Sequence, residues 1–216
     1  RLTDVVISDS VATLGQRAFA SCDALTSVTL GAGLTSIGDA AFQGCSALTT
    51  FRVGEGVNVA SLGKNAFKND TLLSSIDIAD TATLVRIEDN AFEKCTGLES
   101  FTVHKSTAYI GNSAFKDCSQ LLTFAFGESE SPVSFGNGVF SGCTVMQTVT
   151  FEGAAPAFGE NTFAGCEIEA VYDGSKAGWT DVVGNLSQPV TVDRSVESGF
   201  LNNSIDFRGT AIFDSK

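Results

Sequence analysis

"IGDAAFQGCSAL", residues Ile37–Leu48, decides the fold because the chain keeps writing it. "LGQRAFASCDAL" begins at Leu14, "IEDNAFEKCTGL" at Ile87 and "IGNSAFKDCSQL" at Ile110. The phenylalanine of this phrase falls at Phe19, Phe42, Phe67, Phe92, Phe115, Phe140 and Phe163, in steps of 23, 25, 25, 23, 25 and 23 residues. Three residues after it comes a cysteine: Cys22, Cys45, Cys95, Cys118, Cys143 and Cys166. In the third copy Asp70 takes that place. Five residues before the Phe stands an apolar residue (Leu14, Ile37, Leu62, Ile87, Ile110, Phe135, Phe158), often followed by Gly. A period in this range is the mark of stacked repeats.

Each copy continues into a Leu-like position (Leu25, Leu48, Leu73, Leu98, Leu121, Met146, Ile168) and a short alternating segment such as "SVTL", "TFRV" or "SFTV". Alternation with period two predicts a strand with one buried face: Val28 and Leu30 in, Ser27 and Thr29 out. Phe and Cys three apart lie on one side of a single turn of helix or 3₁₀-helix, too short to stand alone. The Ile-Gly segment predicts a second short strand. One unit cannot bury its apolar face; stacked units can, with each Phe beside the next Phe and each Cys beside the next Cys. The two-residue length changes fall between strand and Ile-Gly position, where loops accept insertions at small entropic cost. The expected fold is therefore a β-rich α/β solenoid, a right-handed superhelix of about seven 23–25-residue coils with short strands and single helical or 3₁₀ turns.

The pattern Ile-Gly-x-x-Ala-Phe-x-x-Cys-x-x-Leu-x-x-Val resembles the BspA-like leucine-rich repeat family over about residues 1 to 173. Departures are Asp70 for Cys, Val139 and Thr162 for the small Ala, and Phe135 and Phe158 for Ile. The resemblance implies a leucine-rich-repeat solenoid on a bacterial or protist cell surface, with a role in adhesion or surface assembly. It also implies a Trp-bearing segment that closes the array, and Trp179 stands where one is wanted.

Domain expectations follow: a solenoid over 1–173 with a partial first coil, a C-terminal cap over 174–193 with a short helix within 174–186, and over 194–216 an ordered extension, a linker or a disordered tail. "QPVTVD" reads as a strand, with Pro189 sitting before it. The chain starts at Arg1 and shows no N-terminal cap, so it reads as a fragment of a longer secreted protein.

Composition narrows the partners. Thirteen basic against 25 acidic residues give a net charge of −12 in 216 residues. Such a surface repels phosphate backbones and anionic lipid, so nucleic acid is not expected. No apolar run reaches the length of about 18 residues needed for a membrane span, so direct membrane insertion is not expected. Three Asn-x-Ser/Thr sequons, at Asn69, Asn185 and Asn202, carry little weight in a chain this rich in Ser and Thr.

The cysteines admit three readings. Metal ligation wants convergent Cys or Cys/His spacing, and these form a line with one histidine, His104. Disulfides are allowed by distance alone, since neighbouring coils lie about 4.8 Å apart. A column of buried free thiols disturbs the ladder least and tolerates Asp70, which must then reach backbone amides or solvent. His104 reads as a lone exposed histidine. No Gly-x-Ser-x-Gly elbow is present, and Glu128 and Glu130 in "GESES" read as a solvated loop. "GAG" and "GEG" are turn glycines, not phosphate loops. No catalysis, cofactor or metal is expected.

What remains is surface. Outward strand positions form two columns: Ser27, Thr50, Ser75, Ser100, Thr123, Thr148, Ala170, and Thr29, Arg52, Asp77, Thr102, Ala125, Thr150, Tyr172. The candidate partner-binding face is Thr29, Arg52, Asp77, Thr102, Thr150 and Tyr172, with Tyr172 and Trp179 as an aromatic end patch. Arg52, Asp77 and Ala125 break the regularity that an ice-binding array needs. Ser and Thr are also simply good solvent-facing strand residues. The expected role is a monomeric extracellular module that binds a host or cell-surface protein. A structural spacer without a ligand is the alternative.

Overall fold

The structure, a computed structural model, describes residues 1–129, 132–166, 168–173, 176–179, 191–197 and 200–206. In chain order its strands are β1 (Asp4–Val6), β2 (Thr13–Leu14), β3 (Ser27–Thr29), β4 (Ser36–Ile37), β5 (Thr50–Val53), β6 (Asn58–Leu62), β7 (Ser75–Ile78) and β8 (Thr83–Ile87). There follow β9 (Ser100–Val103), β10 (Tyr109–Ile110), β11 (Thr123–Phe126), β12 (Ser134–Phe135), β13 (Thr148–Phe151), β14 (Glu169–Asp173), β15 (Thr191–Glu197) and β16 (Phe200–Asp206). The even strands from β2 to β12 stack in order as one parallel sheet. The alternating segments form β1-β3-β5-β7 and then β9-β11-β13-β14. This is a parallel-strand solenoid of about seven coils. Among the described residues no helix is long and apolar enough to cross a membrane.

The solenoid has almost no helix, and the Ala-Phe-x-x-Cys segment shows why. Alternate amides leave the coil: Arg17, Phe19 and Ser21 N–H donate to the carbonyls of Asp39, Ala41 and Gln43 in the next coil, at 2.9, 2.7 and 2.7 Å. The amides between them close three-residue turns, Ala18 to Gly15 O, Ala20 to Arg17 O and Cys22 to Phe19 O. A one-turn helix would leave its first four N–H groups without an intrahelical partner. The turns instead pair all of them while tying coil to coil, so the expected helical turn is a run of β-turns. The backbone must reverse hand twice per coil to do this. Left-handed φ recurs two residues before the Phe (Arg17 58°, Ala40 55°, Asn65 58°, Asn90 55°, Ser113 55°) and two after it (Ser21 60°, Asn69 67°, Lys94 63°, Asp117 59°).

The core is the continuous column between the sheets. The ladder rings from Phe19 to Phe163 stack face to face with centroids 5.0–5.7 Å apart. Phe51, Phe101 and Phe124 meet this column from the other strand, edge-on or tilted. Toward the C-terminus Phe135 and Phe158, at the Ile-like position, meet Phe126 and Phe151 of the facing strands in a second aromatic cluster. The glycine after the Ile-like residue lets coils approach: a Cβ at Gly63 would lie 2.5 Å from the carbonyl carbon of Gly38.

The coil of Phe92 is two residues shorter than that of Phe67, and hydroxyls fill the gap. Ser106 Oγ accepts from Leu84 N–H at 3.0 Å, and Thr107 Oγ1 donates to Leu84 O at 2.7 Å.

At the far end Trp179 is buried, its Nε1–H donating to Gly153 O at 3.1 Å. Strands β15 and β16 pair antiparallel, and β16 pairs antiparallel with β14. Of the cap expected over 174–193, only 176–179 and the start of β15 are described. The short helix expected within 174–186 thus falls mainly outside the described residues. β15 runs on into the stretch read as an extension, and β16 lies within that stretch.

Candidate partner-binding face

The outward columns are set by strand register. In β5 and β7, Thr50 lies opposite Ser75 and Arg52 opposite Asp77; Thr29 of β3 lies opposite Arg52. Further along, Ser100, Thr123 and Thr148 are aligned, as are Thr102, Ala125 and Thr150. Thr29, Arg52, Asp77 and Thr102 are exposed and Thr150 is half-buried. The hydroxyl columns therefore run along two ladders, β3 to β7 and β9 to β13. Arg52 Nε lies 3.1 Å from Asp77 Oδ2, with the two side chains 69% and 60% exposed. Such a pair adds at most about 1 kcal/mol to stability. Its consequence is electrostatic: the two charged groups that the columns carry between β3 and β13 answer one another.

Tyr172 does not belong to this face. It pairs in register with inward-facing Phe151 and is 4% exposed; Val171 takes the outward place beside Thr150. The first column correspondingly meets Glu169, not Ala170. The cause is a shorter corner. Ile168 follows Cys166 by two residues where other Leu-like residues follow by three, and a one-residue shift exchanges the faces of a strand. The expected aromatic end patch is likewise interior: Tyr172 stacks on Trp179 at 4.1 Å, and Trp179 packs on Phe151 at 5.3 Å.

The other singled-out residues do not gather into chemistry. The six cysteines are free thiols; five are buried and Cys22 is half-buried. Five of them donate across coils: Cys45 Sγ to Phe19 O, Cys95 to Phe67 O, Cys118 to Phe92 O, Cys143 to Phe115 O and Cys166 to Phe140 O, at 3.0–3.1 Å. Each carbonyl already serves an amide of its own turn, so the thiol takes its second lone pair. Burial pushes the Cys45 and Cys166 thiols up to about 12 and raises Cys95 and Cys118 as well. These are poor nucleophiles. Asp70 is fully buried; its Oδ1 accepts the Cys45 N–H at 2.8 Å, and its Oδ2 has no hydrogen-bond partner. Burial raises its carboxyl to about 8, against the pull of the Cys45 and Gly44 amides.

His104 is half-buried, its Nδ1 2.7 Å from Ser106 Oγ and its Nε2 3.4 Å from Asp80 O. Ser106 is committed to Leu84, so the pair serves the loop. Glu128 is exposed; Glu130 lies outside the described residues. Among the described residues no three His, Cys, Asp or Glu side chains converge as a metal would need. The hollow between Val103, His104, Phe126 and Phe151 measures about 10 Å³, room for hardly more than one water.

A further polar ladder escaped the sequence reading. Asp39 Oδ1 accepts the Lys64 N–H, Asp89 the Asn112 N–H, Asn112 the Asn137 N–H and Asn137 the Glu160 N–H, at 2.8–2.9 Å. Its signal was the run of Asp and Asn two residues after the Ile-like position.

The sequence matches the BspA type leucine rich repeat region, in six copies, over residues 1–122 and 60–177. No curated protein matches it. Among solved structures, a leucine-rich repeat protein from Bacteroides ovatus superposes with a TM-score of 0.60 at 23% identity, covering 69% of this chain and 37% of that one. A T. pallidum leucine rich repeat protein gives 0.47 at 23% identity, covering 69% of this chain and 58% of that one. A leucine rich cell surface protein from Faecalibacterium prausnitzii gives 0.45 at 22% identity, with 71% and 57% covered. The chain thus spans between about a third and three fifths of the proteins it superposes on.

Proposed function

We propose that this chain, which belongs to the BspA type leucine-rich repeat family, is a non-catalytic extracellular module that binds a protein partner through its exposed sheet. The observation that carries this reading is the face itself. Aligned Ser and Thr side chains run across successive coils around a single exposed ion pair, Arg52–Asp77. Solenoids offer extended faces of this kind to partners. The partner class is a host or cell-surface protein. With 25 acidic residues against 13 basic ones, nucleic acid is a poor partner.

The test is a pull-down of the purified chain against individual extracellular-matrix proteins and cell-surface extracts, beside an Arg52→Glu/Asp77→Lys variant. The variant keeps an ion pair at the same place and reverses its polarity, so folding is retained. Saturable binding that the variant loses is the expected result. Binding that the variant keeps removes the site from this face.

One observation favours a second reading, a spacer within a longer surface protein. From β3 to β13 the columns' two charges, Arg52 and Asp77, neutralise each other, and the rest are hydroxyls and small side chains. A spacer tolerates single charge reversals anywhere on this sheet, and neither protein then retains a partner.

A further inference from the structure

The third and fourth coils, those of Phe67 and Phe92, are joined by a backbone ladder on one side and on the other by side-chain bonds that flank β7 and β9, Thr96 Oγ1 to Thr71 O and His104 Nε2 to Asp80 O, each at 3.4 Å. On the ladder side β6 pairs with β8 over Asn58↔Thr83, Val59↔Leu84, Ser61↔Arg86 and Leu62↔Ile87. The turn layer adds three amide bonds, from Asn65, Phe67 and Asn69 to the carbonyls of Asp89, Ala91 and Glu93, at 3.0, 2.7 and 3.0 Å. Two ion pairs cross there as well, Lys64–Asp89 at 3.2 Å and Lys68–Glu93 at 2.7 Å. On the other side the ladder stops. β7 ends one sheet and β9 begins another, and both strands are described in full. The core feels it: Ile76 and Ile78 of β7 are half-buried, whereas Phe51 and Val53 before them are 1% exposed and Phe101 and Val103 after them 3%. Leu72, on the corner that leads into β7, is 56% exposed.

Asp70 begins that same corner. It stands in the thiol column where every other coil has Cys, and one of its carboxyl oxygens is buried without a hydrogen-bond partner. The titratable groups that face it are the thiols of Cys45 in the second coil and Cys95 in the fourth. A carboxylate here feels the Cys45 and Gly44 amides, and its Oδ2 has no hydrogen-bond partner. Ionisation therefore favours water at Oδ2, and the corner that Asp70 begins leads into the strand where the ladder breaks.

We propose that this junction is a built-in joint of the solenoid, hinged on β6–β8 and the turn layer, which opens between β7 and β9 when Asp70 ionises. Opening changes the angle between the first three coils and the last four. It thereby bends the exposed sheet midway between Asp77 and Thr102.

Site-resolved thiol alkylation of the native protein tests this. Cys95 lies at the joint and Cys143 two coils away, so the ratio of their labelling within one tube cancels the ordinary effect of pH on thiol reactivity. For a carboxyl that titrates near 8, the ionised fraction rises about thirtyfold between pH 6.5 and pH 9. The Cys95:Cys143 ratio should rise severalfold over that range toward this ceiling, and should stay flat in Asp70→Asn. Equal labelling of the two cysteines, or the same pH slope in Asp70→Asn, overturns the proposal. If that variant does not fold, amide exchange of the unaltered protein decides. Amides of β7 and β9 should exchange faster than those of β11 and β13 after correction for intrinsic rates, and equal protection overturns the joint.

Discussion

At Asp70 a single residue departs from a repeat and the energetics of the ladder change sign. A cysteine there would be a small hydrophobe whose thiol donates to the coil before it, as Cys45 and Cys95 do. A carboxyl must lose its water, and burial raises it to about 8. Its linkage to folding follows. Below about pH 4 the group is protonated folded and unfolded alike, and it has no effect. As pH rises from there to about 8, the unfolded chain gives up a proton that the folded chain keeps. Stability therefore falls, by at most about 1.4 kcal/mol per unit, and stays low above that range. Asp70→Asn should raise stability by a few kcal/mol at pH 8 relative to the parent and by much less at pH 4. Urea unfolding of both proteins across that range is the measurement; parallel curves would refute the assignment. The departure itself was legible in the sequence. That one carboxyl oxygen would find no partner was not, because it depends on the packing of the coils on either side.

The turn between the two strands is the element that sequence reading misjudged. Phe and Cys three apart fit one turn of helix, and nothing in a single copy contradicts it. The information lay across copies: Asn, Gly and Ser gather two residues before and two after the Phe, at the positions that take left-handed φ. That composition argues for turns, and the structure supplies the reason, since alternate amides are claimed by the next coil. Opposite substitutions at equivalent places should therefore have opposite effects. Lys94 holds φ 63° on the surface, its N–H bonded to Lys116 O at 2.8 Å. Lys94→Gly keeps that bond, relieves the backbone, and should stabilise by up to about 1 kcal/mol. Gly142, in the same place two coils later, holds φ 84°, and a Cβ there would lie 2.3 Å from Asp117 Oδ1. Gly142→Val should destabilise by more than about 1 kcal/mol. Urea midpoints moving the same way in both variants would show that the turn is not governed by φ.

For the whole molecule, repetition made the fold legible and irregularity made the site hard to read. Seven phenylalanines in register are enough to infer stacked coils, because no other arrangement buries them all. The binding columns rest on parity, and parity fails wherever a corner changes length. This is how Tyr172, read as part of an exposed aromatic patch, proves to be interior, with Trp179 buried against it. Their position has a global meaning. The last coils offer an apolar end, and Trp179 covers it by lying against Phe151 and Tyr172 and bonding Gly153 O. Replacing a buried Trp by Ala costs about 3–5 kcal/mol where the cavity cannot collapse. In a solenoid each coil leans only on its neighbours, so that cost should stay local. Trp179→Ala should strip amide protection from β13 and β14 and leave β3, β5 and β7 as protected as before. Hydrogen exchange read peptide by peptide distinguishes this from a cooperative globule. Loss of protection along the whole chain would mean that the coils fold as one unit and that the end cap holds all of them. Loss confined to the end would mean that stability here is a sum over interfaces, with Trp179 closing the last.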